Sequence, residues 1–325
     1  MPIKMKVCNV AEYNESLKKR GYIFHLFDEA TKTWFYCTRS ERSKFIYSDR
    51  LVEIMAMLRY LYRIPYRQLE GWLEDYIRLK HLNLPIPDFT TLCRRMNKLA
   101  IRICDHRHHK EGADDEILQV ILDSTGISIY PTNGSHGKEN SRYRKYHSLA
   151  QVRKMHVALN AKNKKVLSMD MTENGIKDHQ VVPFLLADIP NKIGAIYADG
   201  AYDKANVRAA CVEYGAKQVI PPSKNAIIHF KPRKKDPPEL WNERNAAILS
   251  IWKHDDEKEG RKQWKEDIHY GWRSLVEAFF GRFKSIFGFY FMSRNEKSRK
   301  NELIIKAKIL NSFKDLGGAI FKKVA

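Results

Sequence analysis

Cysteine is scarce in this chain of 325 residues: there are five, at 8, 37, 93, 104 and 211, an odd number with no close pair. That argues against a disulfide framework or a zinc site and leaves reduced, structural thiols as the expectation. No apolar run of about 18 residues could span a bilayer, and no basic amphipathic segment reads as a membrane anchor. The opening MPIKMKVCNVAEYNESLKKR lacks the apolar core of a secretion signal, so a cytoplasmic location is expected. Internal repeats are also missing. Acidic residues are in deficit, with 38 Asp and Glu against 58 Lys and Arg, a formal charge of +20. The expected partner is therefore a polyanion such as nucleic acid, not a membrane. The length allows a sizeable core and about two domains.

What is there changes character along the chain. Residues 1–48 hold a short helical pattern and then aromatic, strand-like text, FDEATKTWFYC, and read as an N-terminal arm. From 49 to 104 the text is helical: LVEIMAMLRYLYRI and YRQLEGWLEDYIRLK repeat apolar residues every three to four positions, with Pro65 between them. Beyond Pro85 and Pro87, Asp88 or Thr90 can cap a third helix. There Leu92, Met96, Leu99 and Ile103 share one face, and Arg94, Arg95, Lys98 and Arg102 the other. Such a helix suits the major groove of DNA; a plain amphipathic helix with a solvated basic side is the alternative. Residues 105–116 read as a polar linker. Cys104, Asp105, His106, His108 and His109 are metal-capable types, but no second ligand cluster lies nearby in sequence.

A strand pattern begins at Ile117. ILQVILDSTGISIYP predicts a central strand that ends or bends at Asp123, with Gly126 interrupting it. MHVALN and VLSMDM, separated by AKNKK, predict a hairpin, preceded by a long basic loop whose charge points to DNA. KDHQVVPFLLADI follows as a helix limited by Pro183, then IGAIYADGAYD as a strand terminating at Asp199, KANVRAACVEYG as a helix capped by Asp203, and KQVIPP as a short strand. Strands preceding helices in this order predict an α/β fold with mixed sheet pairing. From 223 to 262 the pattern dissolves into an insertion, and ELIIKAKILNSFKDLGGAIF closes the chain as a helix packed on the core.

The most informative stretch is YGWRSLVEAFFGRFKSIFG, Tyr270 to Gly288. At about 100° per residue, Tyr270, Arg273, Glu277 and Lys284 fall within an arc of roughly 60°. Trp272, Leu275, Phe279, Phe283 and Ile286 lie about half a turn away, as on a helix packed against a core. A solvated face is the ordinary reading of such a stripe. Gly281 on that face costs about 1 kcal/mol relative to alanine and suits a surface approached closely by another molecule; Gly288 reads as a left-handed cap. Asp123 and Asp199 at strand ends are expensive to bury as charges unless a cation compensates, and hard carboxylate oxygens suit Mg2+. Asp170, Asp178 and Asp203 compete as candidates; Asp178 and Asp203 also read as helix caps, and Asp170 lies within strand text.

The spacing Tyr-x2-Arg-x3-Glu-x6-Lys resembles the signature helix of DDE transposases of bacterial insertion sequences. DSTGISIY resembles that family's segment around its first Asp, RKMHVALN its next strand, and YADGAYD the segment of its second Asp; IPDFTTLCRRMNKL and KILNSFKDLG resemble flanking segments. Two departures are a basic loop without the tryptophan often found there, and Asn160 where related chains often have Asp. The resemblance implies an RNase H-like mixed sheet flanked by helices over 117–325, an insertion at about 223–262, and an N-terminal all-helical, helix-turn-helix-like DNA-binding region over 49–104. It implies that Asp123, Asp199 and Glu277 are catalytic and hold two Mg2+ ions, with Mn2+ as substitute, and that Tyr270, Arg273 and Lys284 grip the DNA backbone. The implied activity is cleavage at the terminal inverted repeats of the element and joining of the 3′ hydroxyls to target DNA, by a nucleoid-associated protein that is a homodimer in the synaptic complex. A catalytically inactive repressor of transposition and a stand-alone RNase H-like nuclease are the alternatives.

Overall fold

The computed structural model describes residues 5–35, 46–103, 116–130, 151–230, 237 and 239–323. The linker with its His cluster, most of the basic loop before the hairpin, and KPRKK at 231–235 lie outside the described residues. The chain forms two compact units, one from residues 1–101 with 292–325 and one from residues 102–291.

The first unit starts with β1 (Met5–Val7), α1 (Val10–Lys19) and α2 (Phe24–Lys32). α2 occupies part of the text that reads as strand, because Phe27 and Ala30, three apart, are buried together on one helical face. α3 (Asp49–Tyr62) is capped by Ser48, whose hydroxyl accepts the Leu51 N–H at 3.0 Å, and ends at Arg63 in a left-handed conformation, φ 55°. α4 (Tyr66–Leu79) follows Pro65, and α5 (Phe89–Lys98) is capped by Asp88 through the Thr91 N–H at 2.7 Å.

The second unit is built on β2 (Leu118–Ser128), which runs unbroken through Asp123 and Gly126. It pairs antiparallel with β3 (Val152–Asn160), which pairs with β4 (Val166–Glu173) as the hairpin expected; β2 also pairs in parallel with β5 (Ile193–Tyr197), and β5 with β6 (Lys217–Val219). The order β4-β3-β2-β5-β6 is a five-stranded mixed sheet with β2 in the middle, as expected of an RNase H-like core. Leu118, Val120 and Leu122 face one side, packed with α6 (Val182–Ala187) and α7 (Ala205–Glu213) through Val182, Leu185, Leu186, Val207 and Cys211. The strand period of two sends Asp123 and Thr125 to the other side.

The insertion is more ordered than its text suggests. It forms α8 (Asn242–Trp252) and α9 (Glu257–Asp267), the second of which carries the inserted segment past the expected end at 262; the two pack through Ala247, Ile251 and Trp264. Its anchor is Asp203, which caps no helix. That carboxylate is buried and accepts from Arg208 Nε at 2.8 Å, Arg244 Nε at 3.0 Å and the Ser223 N–H at 3.0 Å. Burial pushes the Asp203 carboxyl up, but the two guanidinium groups and the Ser223 amide outweigh it and hold the group below the usual range.

After a 3-10 turn at Tyr270–Arg273 comes α10 (Ser274–Phe287). Its buried residues are Val276, Phe279, Phe280, Phe283 and Phe287, whereas Trp272 is 40% exposed. The tighter turn shifts the phase, so the α-helical stripe cannot be extended back through 272. Gly288 closes the helix with φ 80°.

The chain then returns to the first unit with α11 (Glu296–Asp315) and β7 (Phe321–Lys323), which pairs antiparallel with β1. This closing helix packs on α3 and α5. The reason is polar as well as apolar: Asn301 Nδ2 donates to the Met96 and Leu99 carbonyls at 2.9 and 3.0 Å, satisfying the open end of α5. Among the described residues no helix is long and apolar enough to cross a membrane.

Candidate active site

Three chain segments deliver the site. Asp123 stands on the middle strand, 9% exposed; its Oδ1 accepts the Ser124 N–H at 2.8 Å. Asp199, two residues past β5, caps a 3-10 turn by accepting the Ala201 N–H at 2.8 Å. Glu277 projects from the first turn of α10, its side chain 61% exposed. All three converge on Arg273. Its Nη2 lies 3.0 Å from Asp123 Oδ2 and 3.6 Å from Asp199 Oδ2, and its Nη1 donates to Glu277 Oε1. Arg273 Nε is buried without a hydrogen-bond acceptor.

The electrostatics follow from this crowding. Burial pushes the Asp123 carboxyl up; the Ser124 amide and Arg273 pull it back, and Asp199 and Glu277 add to the rise. Arg273 is held as a firm cation: burial opposes its charge, but Asp123 and the other acids outweigh that. Burial raises the Tyr270 phenol to about 12, so it stays protonated and donates to the Ala198 carbonyl at 3.3 Å. Lys284, its pKa lowered by burial, donates to Thr125 Oγ1 at 2.7 Å, two residues along β2 from Asp123 and on the same face.

A family model described as a transposase DDE domain matches residues 115–312, more than half of the chain and all of this site. The chain belongs to the DDE transposase family. A second model of the same description matches residues 18–132. Among solved structures, the Drosophila P element transposase strand transfer complex matches over 89% of this chain and 86% of that one, at 10% identity and a TM-score of 0.31.

The transposase thus brings Asp123, Asp199, Glu277 and Arg273 together, with Tyr270 and Lys284 alongside. The basic face of α5 is not delivered whole. Arg94 and Lys98 are exposed, but Arg95 is 3% exposed, with its guanidinium donating to the Tyr47 carbonyl at 2.6 Å and Asp49 Oδ1 at 2.7 Å. These acceptors hold the Arg95 guanidinium inside the fold, away from the exposed basic face. Thr125 is the residue that reading the sequence missed; its signal was the strand period that places it beside Asp123. Among the described residues no three metal-capable side chains form a ready cage, and in this site Arg273 is the cation the acids share. Gly281 sits in the open, since an added Cβ would meet nothing within 4 Å. Gly281→Ala should therefore stabilise the transposase by up to about 1 kcal/mol in urea unfolding, and reduced binding of element-end DNA by the same variant would show that the open space serves a ligand.

Proposed function

We propose that this transposase binds the terminal inverted repeats of its insertion sequence, cleaves the backbone there and joins the 3′ hydroxyls to target DNA. The observation that carries the reading is the convergence of Asp123, Asp199 and Glu277 on one guanidinium. An all-oxygen donor set gathered around a positive charge fits Mg2+, with Mn2+ as substitute. Asp123, Asp199 and Glu277 would hold it, and two such ions supply activation of the attacking oxygen and charge stabilisation at the leaving one.

The protein's own side chains do the positioning. Arg273 turns the Nη1 and Nη2 fork that now meets the carboxylates to a phosphate, which it can hold through two parallel N–H donors. Lys284 and Tyr270 steady the strand on either side, and exposed Arg94 and Lys98 bind element-end DNA from α5. Synapsis of two ends requires at least a homodimer in the active complex. Arg273→Lys keeps the charge but loses the fork, and is expected to slow end processing about tenfold, the worth of one charge-assisted hydrogen bond. Tyr270→Phe should cost less. Single-turnover cleavage at saturating Mg2+ measures both, and a parental rate for Arg273→Lys would remove the clamp.

The reading itself is tested by incubating the full chain with labelled element ends and target DNA, with Mg2+ or with a chelator. Metal-dependent joined product is the expected result. Hydrolysis without joining would identify a nuclease, and binding without either a repressor.

A further inference from the structure

The insertion carries a surface that the reading above leaves without a task. On α9, Lys258, Arg261, Lys262 and Lys265 follow one another at i, i+3, i+4 and i+7, so they form a single stripe about 10 Å long at 1.5 Å per residue. The stripe lines an open cleft of about 810 Å³ that Tyr270 and Trp272 also line. Lys265 Nζ stands 5.5 Å from the centre of the Tyr270 ring.

This row is mounted rigidly. A Cβ on Gly260 would come within 2.2 Å of the Ile251 carbonyl, so α9 lies directly on the end of α8 in a way that only glycine permits. Trp264 is buried between the two helices, and Arg261 donates to the Pro222 and Ser223 carbonyls at 2.8 and 2.9 Å, tying α9 to the segment after β6. Arg261 is thereby committed to structure, leaving the lysines as the ligand-facing cations. The nearby acids do little to cancel them: Glu259 is 3.6 Å from Lys262 with both side chains well exposed, a pairing that water screens, and Glu266 also lines the cleft.

A linear row of ammonium groups with aromatic walls is too long for a single small anion and suits a chain of phosphates. We propose that this face of α9 is a track for the phosphodiester backbone of DNA, leading the strand past Tyr270 to Arg273 and the three carboxylates. The track rests on the proposed function and extends it to residues of the insertion.

Lysine acetylation of the full-length protein with and without duplex DNA tests it without any substitution. DNA should protect Lys258, Lys262 and Lys265, and leave Lys162 in the β3–β4 turn as reactive as before. In fluorescence anisotropy across salt concentrations, the triple variant Lys258→Ala, Lys262→Ala, Lys265→Ala should lose up to about 2.7 from the slope of log affinity against log salt, at about 0.9 per phosphate contact. The corresponding triple Lys→Arg variant should retain the parental slope. Equal acetylation with and without DNA, together with a parental slope in the alanine variant, would overturn the track while the parent's DNA binding kept the proposed function standing. A parent that binds no DNA would remove both.

Discussion

Asp123→Asn is expected to lower end cleavage by about a thousandfold, equivalent to roughly 4 kcal/mol of lost transition-state stabilisation, without weakening the fold. The two effects separate because the carboxylate is badly placed for stability. Burial, with Asp199 and Glu277 nearby, raises its pKa in the folded protein. A raised carboxyl favours the fold while protonated and loses that contribution as pH rises through its folded value. Asparagine stays neutral, so at neutral pH without divalent metal the variant should melt at or above the parental temperature. Asp199→Asn and Glu277→Gln should lose cleavage to the same degree. The checks are single-turnover cleavage of labelled ends in Mg2+ and a thermal melt of each variant. Near-parental cleavage by any one of the three would remove that residue from the site.

Asp203→Ala should cost about 3–5 kcal/mol in stability, the usual result of stripping one partner from a buried ion pair. Removing it strands Arg208, fully buried, and Arg244, 6% exposed. Such a loss is a large part of a domain's typical margin of about 5–15 kcal/mol, and it falls where α8 joins α7. Urea unfolding of the full chain at pH 7 measures it, and a loss below about 1 kcal/mol would mean that the guanidinium groups find other partners. The pH dependence has a definite sign. With the Asp203 pKa lowered in the fold, its contribution is complete above the unfolded carboxylate value of about 3.9 and fades as pH falls through the lower folded value. Parent and variant should therefore converge in stability in strong acid.

Local patterns carried the sheet and the three acids. β2, the β3–β4 hairpin and β5 are runs of apolar or β-branched residues with turn residues between, and Asp123, Asp199 and Glu277 sit in short motifs that need no knowledge of the fold. Residues whose role depends on distant partners were less visible. Arg95 belongs by helical phase with Arg94 and Lys98, yet its acceptors Tyr47 and Asp49 lie 48 and 46 residues earlier. Asp203 stands where a helix cap would, but Arg244 is 41 residues away. α9 gave no apolar period to read because it buries little besides Gly260 and Trp264 and is polar elsewhere. The phase error at Trp272 has a different origin, a change of helix type within one motif.

The division of the chain also sets an order of assembly. Residues 102–291 are contiguous and can close their sheet as soon as they leave the ribosome, whereas the other unit needs both ends of the chain. The carbonyls of Met96 and Leu99 wait for the amide of Asn301, 205 and 202 residues later. Until it arrives, the apolar faces of α3 and α5 have no cover from α11. A ribosome paused just before Met292 therefore holds a chain with every strand of the sheet and every acid of the site, while the helix that carries Arg94 still lacks the group that closes its last turn.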